Sequence, residues 1–146
     1  MSQSQAPSTA AENPPPAIAR GLVFFYYDDL PAAVAWYRRV LAPRCLMELD
    51  WVVILSIGPG NFTLGLVDSK RGILRAGEDK SALLSVETQA LESWLERISA
   101  LAPESIAQGI GSGGHGLVDQ FIVRDPGGYL VEFFRWKKAD RGMSLM

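Results

Sequence analysis

The chain contains one cysteine, Cys45, among its 146 residues. An intrachain disulfide and a cysteine zinc cluster are both excluded. Excess charge of either sign is lacking too. The 14 Lys and Arg against 16 Asp and Glu give a formal charge of -2, which leaves no basic footprint and predicts no nucleic-acid partner. No apolar run is long enough to span a membrane, so no membrane partner is expected. The first residues lack the basic n-region and apolar h-region of a secretory signal, and a cytoplasmic protein is predicted. Cys45 itself reads as a core thiol.

What is present is a β-rich pattern that starts twice. Residues 1–19 are Ser, Gln, Ala and Pro without periodicity and read as a disordered tail. A single domain is expected over 20–137, with a short C-terminal tail over 138–146. Its first half opens on the β run Gly21 to Tyr27. Asp28 and Asp29 offer an N-cap, and Pro31 suits a first helical turn. Leu30, Ala33, Val34, Tyr37 and Leu41 recur at helical spacing. Three β runs follow, with Gly58-Pro59-Gly60-Asn61 as a hairpin turn. The pattern restarts at Ser81 to Val86, continues in a helix marked by Leu91, Trp94, Leu95 and Ile98 with Thr88 as cap, passes a weak strand from Ser105 to Ile110, and reaches a glycine-rich stretch. Residues 109–116, with five glycines, read as a mobile loop, a lid carrying the only histidine, His115. Two modules of one β-α-β-β-β order, about 21–68 and 81–136, are the result.

The most specific stretch is Phe121 to Trp136. Asp125-Pro126-Gly127-Gly128 forms a turn, with proline presetting φ and glycine supplying a positive one. In the following strand, alternation puts Leu130, Glu132 and Phe134 on one face and Tyr129, Val131 and Phe133 on the other. Both sets are largely apolar, which predicts a strand covered on both faces. Glu132 then needs either a cavity or a partner, and Arg124 and Arg135 are the nearest candidates for an ion pair.

The duplication and three segments (Asp29 to Tyr37, Ser81 to Val86, and Asp125 to Glu132) resemble the vicinal oxygen chelate superfamily of glyoxalases, bleomycin-resistance proteins and extradiol dioxygenases. The resemblance implies an α+β fold of two βαβββ modules, forming a curled mixed sheet around a cavity with the helices outside. Its metal-dependent enzymes take ligands from the first strand of each module and from the last strand. Aligned on the shared motifs, those places hold Leu22, Ser81 and Glu132. Leu22 has no donor atom, and a neutral hydroxyl is a poor ligand for zinc, iron or manganese. No metal and no other cofactor is therefore expected. His115 with Asp119 is the other source of donors, but ordering a glycine-rich loop would oppose a site there.

With Glu132 facing the cavity, alternation gives its companions: Leu130 and Phe134 beside it, Leu22, Phe24 and Tyr26 on the first strand, and Ser81, Leu83 and Ser85 on the matching strand. Such a lining suits a small, flat or aromatic organic molecule. The opposing reading fills the interior with these side chains and leaves no ligand space. Trp51 either rims the pocket or caps the core, and Asp119 and Gln120 put one polar group on each sheet face. The expected function is metal-free binding of an apolar or aromatic organic ligand. The alternative is a metal-independent isomerase, lyase or cyclase with Glu132 as general acid/base and Tyr26 beside it. A metal-dependent glyoxalase or dioxygenase ranks last. Family members often pair, so a homodimer is expected as well.

Overall fold

A computed structural model describes residues 14–60 and 62–137 of the chain. The first module runs β1 (Val23–Tyr27), α1 (Leu30–Val40), β2 (Arg44–Glu48), β3 (Val52–Ile57) and β4 (Phe62–Asp68). The second runs β5 (Leu83–Glu87), α2 (Leu91–Leu101), β6 (Ile106–Gly113), β7 (Val118–Arg124) and β8 (Leu130–Trp136). Each module builds a four-stranded mixed sheet, ordered β1-β4-β3-β2 and β5-β8-β7-β6. In both, the strand before the helix runs parallel to the last strand of its module, and the remaining pairs are antiparallel. The α+β architecture of two repeated βαβββ modules is thus observed. The two sheets do not close into a barrel.

Helix α1 starts where local chemistry dictates. The Asp29 carboxylate accepts from the Ala32 amide at 3.1 Å, and proline occupies the first turn. The far end is satisfied from outside, because the Arg97 guanidinium on α2 donates to the carbonyls of Val40 and Arg39, both at 3.0 Å. Thr88 does not cap α2. Its hydroxyl accepts from the Ala90 amide, and Ala90, which offers no side-chain oxygen, stands at the N-cap.

One core spans both modules. Phe25, Tyr27, Leu64 and Leu66 of the first sheet and Phe121, Val123, Val131 and Phe133 of the second bury against the helices. The Phe121 and Phe133 rings stack with centroids 4.8 Å apart. Alternation sends the other set of side chains to a face that no helix covers. On β8, Val131 and Phe133 are fully buried, whereas Leu130, Glu132 and Phe134 are only half-buried. The expectation of a strand covered on both faces is corrected accordingly: within one chain, each sheet keeps one open face.

Two further expectations change. Glycine-rich residues 109–113 belong to strand β6, since pairing with β7 holds their backbone despite weak intrinsic preference, with register irregularities between Ile106 and Gly111. Within residues 109–116, only Gly114–Gly116 leaves the strand for a turn of 3-10 helix, and exposed His115 sits there at φ 56°. Cys45 is exposed, because β2 is an edge strand with no helix over it. Of the tail expected at 1–19, residues 1–13 lie outside the described residues, as does the expected tail at 138–146, while residues 14–19 are exposed and form no helix or strand. No helix among the described residues is long and apolar enough to cross a membrane.

Candidate functional site

The open face of the first sheet is built from cross-strand rows. Tyr26 on β1 is in register with Val67 on β4, and Val67 with Val52 on β3. The next row joins Phe24, Gly65, Ile54 and Met47. Gly65 leaves room there for the Phe24 ring, which lies across it; a Cβ would collide with Cδ1 and Cε1 unless the ring shifted. Together with Trp51, Arg71, Gly72 and Ile73, these side chains line a cavity of about 290 Å³. Its lining is mostly hydrocarbon and aromatic, with Val52 and Val67 buried and Ile73 90% exposed. The one charged group on its rim is Arg71, which meets Asp50 at 3.1 Å in an exposed pair. Pairs of that kind contribute little and exchange readily with solvent.

The other predicted residues lie on the second sheet. Leu83 is in register with Leu130, and Ser85 with Glu132. The Ser85 hydroxyl donates to Glu132 Oε1 at 2.7 Å. Ser81 precedes the strand and is exposed, while Leu22 lies just before β1, 38% exposed. The structure therefore divides the expected constellation. Phe24 and Tyr26 line the cavity on the first sheet, and Ser85, Leu130, Glu132 and Phe134 form a patch on the second. Arg135 is not the partner of Glu132. It turns to the helix side, where it donates to both oxygens of Glu92 at 2.9 and 2.8 Å and meets Asp119 at 3.5 Å. Among the described residues, neither Arg124 nor any other cation pairs with Glu132.

The internal repeat tests the metal positions. Tyr26 pairs with Val67 in the first module as Ser85 pairs with Glu132 in the second. The four related places are thus Leu22, Val67, Ser81 and Glu132, of which one alone carries a charged donor. That set does not fit a transition metal. Among the described residues no group of three or more His, Cys, Asp or Glu converges on one point, and His115 does not join Asp119 and Glu132.

One polar cluster was not foreseen as such. Asp125 is 3% exposed, and its Oδ2 accepts from the hydroxyls of Tyr27 at 2.5 Å and Tyr37 at 2.8 Å. Its Oδ1 accepts from the amides of Gly127 and Tyr129, both at 2.9 Å. Burial pushes the Asp125 carboxyl above its usual range, against the opposing pull of those hydrogen bonds. Burial also raises both phenols, and the neighbouring carboxylate adds to this, so they remain protonated donors. The Phe25 and Tyr129 rings stack at 4.0 Å, and the Tyr129 hydroxyl accepts from the Tyr26 amide at 2.9 Å. The closing turn of the second module is thereby locked onto the strand that carries Phe24 and Tyr26.

A fold of paired βαβββ modules with a ligand-sized cavity on an open sheet face defines a glyoxalase-type protein. A family model, the Glyoxalase/Bleomycin resistance protein/Dioxygenase superfamily, matches residues 19–133, and the chain belongs to that superfamily. Among solved structures it is similar to a lactoylglutathione lyase from Agrobacterium tumefaciens at 26% identity, covering 84% of this chain and 96% of that one with a TM-score of 0.62. It is similar in fold to TioX from Micromonospora sp. ML1, with 24% identity, coverage of 81% and 98%, and a TM-score of 0.65. A glyoxalase/bleomycin resistance protein/dioxygenase from Nocardioides shares 18% identity over 94% and 96%, with a TM-score of 0.71. No curated protein matches the chain.

Proposed function

We propose that the protein binds a small apolar or aromatic organic molecule on the open face of its first sheet and works without a transition metal. The observation that carries this is the cavity of about 290 Å³ framed by Phe24, Tyr26 and Trp51, near the lower end of the usual range for ligand sites. A cleft of about 480 Å³ near Asp28, Asp29 and Glu78 is larger, but it is lined largely by charged and polar groups and suits an apolar ligand poorly. The donor set supports the metal-free part, since Leu22 and Val67 carry no lone pairs for a metal and Ser81 carries a neutral hydroxyl. Calorimetric titration with naphthalene derivatives tests the binding. Micromolar affinity is expected in the wild type, with a loss of about tenfold or more in Trp51→Ala, given the apolar area removed. Unchanged affinity in that variant places the ligand elsewhere. Elemental analysis after dialysis is expected to give no stoichiometric zinc, iron or manganese, and about one per chain overturns the metal-free reading.

A homodimer is part of the same proposal. Phe24, Met47 and Leu83 are 42%, 40% and 50% exposed on the two open faces, and a second copy offers complementary faces to cover them. Sedimentation should show a species near twice 15.9 kDa, and a monomer at micromolar concentration refutes the pairing.

The Ser85–Glu132 hydrogen bond favours one alternative, a metal-independent isomerase, lyase or cyclase in which Glu132 transfers a proton. If Glu132→Gln binds ligand as the wild type does and no turnover is found in either, that alternative falls.

A further inference from the structure

The open face of the first sheet does not end at the apolar cavity. Two residues beyond Ile54 on β3, about 7 Å along the strand, stands Ser56, facing the same side. Its cross-strand partners are Arg44 on β2 and Thr63 on β4. This third row, Arg44–Ser56–Thr63, adjoins the row of Met47, Ile54, Gly65 and Phe24. With Arg20, from the segment leading into β1, it lines a second cavity of about 230 Å³.

The chemistry of that cavity is the reverse of its neighbour's. Two arginines and two hydroxyl-bearing residues are among those lining it, and no carboxylate lines it. Ser56 and Thr63 are 6% and 3% exposed, so their hydroxyls belong to the floor and not to a solvated rim. Five of the other arginines among the described residues are engaged, whereas Arg39 and Arg124 are not, so the placement of Arg20 and Arg44 beside two buried hydroxyls is what sets them apart. Arg38, Arg71 and Arg135 are ion-paired, while Arg75 and Arg97 donate to backbone carbonyls. Among the described residues, Arg20 and Arg44 have no carboxylate within 4.0 Å and no hydrogen-bond acceptor for their side chains. Two unengaged planar donors above two short hydroxyls match an oxyanion, which can accept from all of them.

The geometry points to an oxyanion subsite at Arg20, Arg44, Ser56 and Thr63. The ligand of the open face is thus an amphiphile, with an apolar or aromatic body over Phe24, Ile54 and Trp51 and a carboxylate or phosphate at the arginine end. This rests on the small-molecule reading above and adds a chemical class to it. Carboxylate and phosphate share the recognition chemistry, so the test must separate them.

Three probes of one shape serve: 2-naphthoate, 2-naphthyl phosphate and neutral 2-naphthol, titrated calorimetrically into the wild type and into Arg44→Gln and Arg20→Gln/Arg44→Gln. Thermal melts of each variant check that it is folded. At least one anion should bind the wild type about tenfold to a hundredfold more tightly than 2-naphthol, the range of charge-assisted hydrogen bonds. The preferred anion identifies the oxyanion. The ratio of anion to neutral affinity should collapse toward one in the double variant. Binding of all three probes with equal affinity removes the subsite and leaves the small-molecule reading standing, as does an anion preference that survives in the double variant. Failure of every probe to bind the wild type overturns both.

Discussion

Replacing Asp125 with alanine is the most direct test of what joins the two modules. The change removes four hydrogen bonds, two from tyrosine hydroxyls and two from backbone amides. Tyr27 and Tyr37 are 1% and 0% exposed, so water cannot take the place of the lost acceptor. A buried donor left unmatched costs about 1–3 kcal/mol, which puts the two phenols together at about 2–6 kcal/mol. Two effects work the other way. The variant no longer buries a carboxylate, and the two hydroxyls, both aimed at one oxygen, can bond to each other. A net loss of about 3 kcal/mol is expected, a large share of the roughly 5–15 kcal/mol that holds such a domain folded. Urea denaturation followed by tryptophan fluorescence measures it, provided the slope m is unchanged. A double-mutant cycle with Tyr27→Phe then isolates the shared interaction, and coupling of about 1.5 kcal/mol or more is expected. A loss below about 1 kcal/mol, or additive single variants, refutes the idea that this carboxylate is the latch.

The same group predicts a pH dependence. Its folded carboxyl titrates above the unfolded value near 3.8, so the folded state holds the proton more tightly. That stabilising contribution is complete below the unfolded value and is lost as pH rises through the raised folded one. The stability of the wild type relative to Asp125→Asn should therefore fall as pH rises above the unfolded value and through the raised folded one, and a flat difference contradicts it. Glu92, held below its usual range by Arg135, acts with the opposite sign in both proteins and cancels in that comparison. Gly65→Ala should drive the Phe24 ring into the cavity, costing about 1–3 kcal/mol and weakening naphthalene binding; a variant that melts and binds as the wild type does shows that the ring can move aside. Trp36→Phe strands the Ser105 hydroxyl, which now accepts from the indole N–H at 2.8 Å, and should cost about 1 kcal/mol in urea denaturation; no measurable loss argues that this buried bond contributes nothing.

Much of the fold was legible because local and periodic signals agreed. The spacing of Leu30, Ala33, Val34 and Tyr37, with Asp29 before them, defines α1, and Asp125-Pro-Gly-Gly defines the last hairpin, with Gly128 at φ 93°. Strand β6 was legible only in its first part, up to Ile110; beyond it the glycines carry no side-chain pattern and their order comes from the neighbouring strand. Half of the candidate site followed from alternation along β1, which gives Phe24 and Tyr26. Ile54, Ser56, Thr63 and Val67 obey the same alternation, but assigning them to that face needs the register of β3 on β4, and register is a tertiary fact. The tyrosine partners of Asp125 lie 98 and 88 residues away, beyond the reach of any local motif.

That separation bears on how the chain comes to be folded at all. A ribosome releases Tyr27 and Tyr37 ahead of Asp125 by 98 and 88 residues, at about 5–20 residues per second. For several seconds the first half can pair its strands and dock its helix, yet two phenols destined for the interior have only water or each other as partners. The first module's sheet is thus finished only by the closing turn of the second. Nascent chains arrested before Asp125 should remain protease-sensitive in their first half, and a few further residues should close the molecule in a single late step.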